Sequence, residues 1–164
     1  RFVRRLEVGP DGSLEADLTL DMSMYGLWRF GMIAADDPRM VATMEALRKR
    51  LWVQTDIGGM ARYENDYYHQ VSTDVDKVAG NPWFICSLWL AQWHIATATT
   101  TSDLDPALDL MLWVAKHALP SGTLAEQVHP YSGEPLSVSP LTWSHAEFAL
   151  TVQDYVARAR AIGD

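Results

Sequence analysis

Apolar residues recur three and four positions apart along most of this chain and alternate almost nowhere. Over 38–52, Met40, Val41, Met44, Leu47 and Leu51 form one stripe, while Arg39, Glu45, Arg48 and Lys49 take the other faces. That pattern predicts a surface helix with one buried side. Segment 82–99 carries no charge, and 106–119 has only Asp109, Lys116 and His117 as strongly polar positions. Both predict helices that need neighbours on nearly every side. Two further helices are predicted: one at 16–33 from Leu18, Met22, Tyr25 and Ile33, and one at 140–162, stopped by Gly163. Asp37-Pro38, Asn81-Pro82, Asp105-Pro106 and Ser139-Pro140 each supply a side-chain acceptor at N-cap and a residue without N–H at N1. Only Phe2 to Val8, ahead of the turn at Gly9-Pro10-Asp11-Gly12, alternates with period two. The chain reads as all-α. Its mix of one-faced and all-round apolar helices predicts two concentric layers of helices.

The connections 53–80 and 120–139 far exceed the about 2–8 residues usual between packed helices. They hold Arg62-Tyr63-Glu64-Asn65-Asp66-Tyr67-Tyr68 and Glu126-Gln127-Val128-His129-Pro130-Tyr131, which are too aromatic for disordered segments. The chemistry is expected there.

Composition narrows the classes. At 164 residues the chain has the usual size of one domain, and 13 Lys+Arg against 21 Asp+Glu leave a net charge of −8. This balance argues against a nucleic-acid groove or an anionic membrane surface, which call for clustered cations. The uncharged stretch between Lys77 and Asp103 is broken by Gln92, His94, Thr97, Thr99, Thr100 and Thr101, so it predicts a buried helix, not a membrane span. A single cysteine, Cys86, makes no internal disulfide. With no signal peptide before Arg1, a cytoplasmic location is the expectation.

Familiar catalytic patterns fail on spacing. Ser144 and His145 are neighbours on a predicted helix and do not face each other, and no G-x-S-x-G elbow exists. The five His are scattered without H-x-x-x-H spacing, and Asp74 and Asp76 lack a calcium loop's glycine and closing Glu, so no metal and no cofactor is expected. Gly58-Gly59 reads as a turn. Carboxylates beside aromatics remain. Glycosidic-bond cleavage needs an acid for the leaving oxygen and a carboxylate that activates water or attacks. It also needs flat rings for the sugar's C–H faces and an Arg to grip its hydroxyls. Arg62, Tyr63, Glu64, Asp66, Tyr67, Tyr68, Glu126 and Glu134 supply those types.

Arg62-Tyr63…Asp66-Tyr67-Tyr68, Gly80-Asn81-Pro82-Trp83-Phe84-Ile85-Cys86-Ser87-Leu88, Glu126-Gln127…Gly133-Glu134-Pro135-Leu136-Ser137 and Leu141-Thr142-Trp143-Ser144 occur in that order. Over residues 14–157 the chain resembles glycoside hydrolase family 15, which holds glucoamylases, glucodextranases and some trehalases. The resemblance implies an (α/α)6 toroid, of which about five helices lie here, and inversion at the anomeric carbon. It places Glu126 as general base and Arg62 on a sugar hydroxyl near the scissile bond, with Gln127 helping to place water and sugar. Tyr63, Tyr67, Trp83 and Trp143 line the substrate site in this reading. The segment His69 to Ala79 is an insert relative to other members and bears on the outer subsites.

The family's general acid lies upstream of anything here, and Glu7 and Glu15 do not match it. The expectation is therefore the C-terminal half of the catalytic domain of an exo-acting α-glucoside hydrolase that releases glucose from α-linked oligo- or polysaccharides. A trehalase-like member and a non-catalytic helical module binding sugars or a protein are the alternatives. Alone, such a half is expected to be inactive and to form a homo-oligomer or pair with the missing N-terminal half.

Overall fold

The computed structural model describes residues 1–163. In order along the chain come β1 (Arg5–Val8), β2 (Leu14–Asp17), a 3-10 turn (Met22–Tyr25), α1 (Gly26–Arg29) and α2 (Pro38–Leu51). After these follow α3 (Phe84–Thr97), a second 3-10 turn (Thr101–Leu104), α4 (Asp105–His117), β3 (Gln127–Val128), β4 (Pro135–Leu136) and α5 (Thr142–Gly163). Helices carry the core. The strands form two small antiparallel hairpins, β1–β2 and β3–β4.

Helix α2 forms as its pattern predicts. Asp37 accepts the Arg39 N–H at 2.8 Å, Pro38 opens the helix, and Met40, Met44, Leu47 and Leu51 are fully buried. Burying each such side chain contributes about 1.5–3 kcal/mol. Helix α3 is the centre of the fold: every residue from Phe84 to Trp93 is buried, and the helix packs against both α4 and α5. Helix α4 departs from the all-round apolar expectation. It buries Ala107, Leu110 and Val114 but leaves Leu108 and Leu112 exposed, so it is one-faced.

The predicted helix at 16–33 does not form as such. Residues 14–17 pair with 5–8, Asp17 accepts from Arg4 and Arg5, and helical structure is confined to 22–29. Gly31, at φ +79°, turns the chain out of helical geometry. The apolar spacing there serves packing instead: Tyr25 stacks on Trp89 of α3 at 4.4 Å. Of the four predicted caps only Asp37 serves as written. Asn81 is drawn off to other partners and α3 starts two residues later, behind Trp83. The start of α4 is set by a capping box between Thr100 and Asp103 on the preceding 3-10 turn, and α5 starts at Thr142, beyond Ser139-Pro140.

Candidate functional site

The two long connections are stitched together at the N-terminal end of α3. Met22 N–H bonds to Arg62 O at 2.8 Å and Glu64 N–H to Leu20 O at 3.0 Å, which ties 62–64 to the N-terminal segment. On the other side Ala61 bridges to Pro82, and Trp83 N–H bonds to Met60 O at 2.9 Å. Trp83 in turn bridges to Gln127, which pairs with Leu136 across the β3–β4 hairpin. Four stretches distant in sequence thus lie side by side as short extended segments. The first turn of α5 joins them through the Ser144 hydroxyl, which donates to Ala125 O at 2.7 Å, and His145 Nε2, which accepts the Leu124 N–H at 3.0 Å. Ser144 and His145 are fasteners, in keeping with the rejection of a triad.

Glu126 is half-buried, and the Ser137 hydroxyl donates to its Oε2. Ser137 has φ +62°, a left-handed conformation that aims its side chain back across the loop. Beside it, Gln127 is fully buried and accepts from Asn81 Nδ2 at 2.8 Å, while the same Asn81 group donates to His69 O at 2.7 Å. Gln127 therefore faces the interior. Among the described residues its Nε2 and Asn81 Oδ1 are buried without a partner, the usual setting for a bridging water.

Arg62 donates in parallel from Nε and Nη2 to the two oxygens of Asp66, both at 2.9 Å. Asp66 is only 1% exposed and also accepts the Tyr68 N–H at 3.0 Å. The guanidinium carbon lies 4.3 Å from the Trp83 ring centre, 4.9 Å from Tyr63 and 5.4 Å from Tyr68. Burial works against the Arg62 charge, but the bond to Asp66 and its proximity outweigh this and raise the pKa. The Tyr63 hydroxyl is pushed up by burial and by the Asp66 charge. Sequence reasoning expected Arg62 to fork onto sugar hydroxyls; Asp66 occupies that fork and leaves Nη1 for a ligand. Tyr67 is 77% exposed, whereas Tyr68 approaches Trp83 at 6.0 Å.

Trp83 is buried, and Trp143 is half exposed on the first turn of α5. Trp143 lies 5.8 Å from Trp89 and donates from Nε1 to Glu147 Oε1 at 3.1 Å; Gln92 Nε2 donates to the other oxygen at 2.8 Å. Burial, and then the charge of Glu147, push the Tyr25 hydroxyl up to about 12. Sequence reasoning missed Glu147 and gave Ser137 no role of its own. The Trp143–Glu147 spacing of one helical turn was the available signal for the first; Ser137 becomes visible only once the β3–β4 hairpin closes.

The other acids have structural partners. Glu64 accepts from Arg50 Nε at 2.9 Å and from Leu20 N–H at 2.8 Å, and Glu134 accepts from the Ser132 hydroxyl at 3.3 Å. Among the described residues no group of three or more His, Cys, Asp or Glu is placed to hold a metal, and no helix is long and apolar enough to cross a membrane.

Residues 9–104 and 96–152 match the family described as Glycosyl hydrolases family 15. An uncharacterized glycosyl hydrolase of Methanocaldococcus jannaschii is 34% identical over 148 residues, which cover 84% of this chain and 22% of that protein. A glucoamylase of a Clostridium species is 31% identical over 136 residues, 80% of this chain and 18% of that protein. The chain thus spans about a fifth of the length of these curated relatives. The crystal structure of a bacterial glucoamylase complexed with acarbose superposes with a TM-score of 0.72 at 25% identity, covering 94% of this chain and 23% of that one. The helices are accordingly those of part of an (α/α)6 toroid.

Proposed function

From the premise that this chain belongs to glycosyl hydrolase family 15, we propose that it is the C-terminal half of the catalytic domain of an inverting, exo-acting α-glucoside hydrolase. Glu126 is the general base. The observation that carries this reading is the Ser137–Glu126 bond: one carboxylate oxygen is fixed by a hydroxyl, and the second is left for a water. A base activates water only when both its position and its lone-pair direction are set. In this reading the half-exposed Trp143 is a ring platform, the buried Trp83 backs the site by holding Arg62, Tyr63 and Tyr68 extend that surface, and Arg62 Nη1 offers a donor to a sugar hydroxyl. Gln127 acts by locking the segment of the base onto Asn81.

The general acid belongs to the part of the parent outside this chain. Glu64, Asp66 and Glu147 are each bonded to structural donors, so none is free to protonate a leaving oxygen. The isolated chain therefore hydrolyses nothing. A bacterial glucoamylase of the same fold is known with acarbose bound, and this supports α-linked glucose oligosaccharides as the substrate class. The test uses the full-length parent on maltose, isomaltose and trehalose, with product anomers followed by NMR. Release of β-glucose from an α-linked glucan supports the proposal. Release of α-glucose contradicts inversion, and cleavage of trehalose alone identifies a trehalase.

A further inference from the structure

A cavity of about 340 Å³ opens between α2 and α4 and is floored by Leu90 and His94 of α3. None of its lining residues belongs to the site around Glu126. Two indoles form its walls, and the Gly58-Gly59 turn seats both. A Cβ at Gly58 would lie 2.8 Å from Trp52 Cζ2, and one at Gly59 would lie 2.5 Å from Trp113 Cζ2. Trp113 is further fixed by its Nε1 donation to Ile57 O at 2.7 Å. The glycines, at φ +69° and +87°, thus do more than reverse the chain. They hold two rings rigid at the mouth of a cleft.

Three polar side chains share the lining with the rings. Arg48 is half exposed, and among the described residues its side chain bonds only to Glu45, one turn away on its own helix. Among the described residues neither the Asp109 carboxylate nor the His94 imidazole bonds to another group. Burial lowers the His94 pKa, which keeps the ring neutral and able both to donate and to accept. A purely apolar occupant would strip these three groups of water and return nothing. A pyranose matches them: its C–H face lies on an indole, and its hydroxyls pair with carboxylate, guanidinium and imidazole. The volume sits at the lower end of ligand sites, about 300–1,000 Å³, and suits one or two sugar rings.

We propose that the α2–α4 cleft is a second carbohydrate-binding site, which holds an α-glucan chain by Trp52, Trp113 and Asp109 without cleaving it. The choice of α-glucan rests on the hydrolase reading above. The test is retardation of the full-length parent in native gels containing glycogen, run beside maltose turnover. Trp52→Ala and Asp109→Ala should each cut retention at least tenfold and leave maltose turnover unchanged. Among the described residues Asp109→Ala breaks no hydrogen bond or ion pair, so it reads cleanly even where Trp52→Ala disturbs the Gly58 turn. Wild-type retention in Asp109→Ala, the result expected if another segment of the parent fills the cleft, overturns the proposal. So does a parent that turns over maltose but ignores glycogen. Retention that depends on Asp109 in a parent without maltose turnover upholds the cleft and removes the hydrolase reading instead.

Discussion

Arg62 is clasped by Asp66 in the plane of its guanidinium and by the rings of Trp83, Tyr63 and Tyr68. A side chain so held has lost its rotamer freedom before any ligand arrives, so gripping a hydroxyl costs little further entropy. Asp66→Asn would leave the guanidinium without its counter-charge. Breaking a fully buried pair costs about 3–5 kcal/mol, and because the Arg62 side chain is 31% exposed we expect about 2–3 kcal/mol, read by urea titration. A loss under about 0.5 kcal/mol would show that the pair does not order this loop. The types and order of Glu126, Arg62, Trp83 and Trp143 were legible in the sequence because they fall in matching blocks. What Ser137 and Glu147 do was not. Ser137 reaches Glu126 only through its left-handed backbone and the β3–β4 pairing, and Glu147 gains meaning only when Gln92 of α3 meets α5.

At the scale of elements, local signals succeed where nothing competes for them. Asp37 stands at an exposed helix start with no other task than Arg39. Asp37→Ala should therefore destabilise the chain by about 1 kcal/mol, the ordinary value for a lost N-cap, as a shift in the urea midpoint with unchanged slope. No shift would mean that Pro38 alone fixes the helix start. Asn81 has the same cap-then-proline signature, but Gln127 and His69 O compete for it and win. Segment 16–33 fails for a related reason. Its apolar spacing is helical, yet hairpin pairing through Asp17 and the stacking of Tyr25 on Trp89 override it. Long-range partners decide such cases, and a chain read locally does not name them.

Over the whole molecule, the chain leaves large apolar side chains bare. Phe30, Met32, Leu18 and Leu112 are 80%, 74%, 59% and 57% exposed, and apolar surface of this kind, where contiguous, marks an interface. The isolated chain should sediment as a dimer or larger at micromolar concentration, since a two-fold pair is the commonest way to cover exposed apolar surface. A clean monomer that binds no hydrophobic dye would show that these side chains need no cover. The central claim, that Glu126 activates the attacking water, is tested most directly in the full-length parent. Glu126→Gln keeps the shape and the acceptor for Ser137 but removes the base. Turnover of maltose should fall by about three or more orders of magnitude, in the upper part of the 10²–10⁴ that a positioned proton transfer contributes, while the dissociation constant for maltose stays within a few-fold of wild type. Near-normal turnover in that variant would contradict the account.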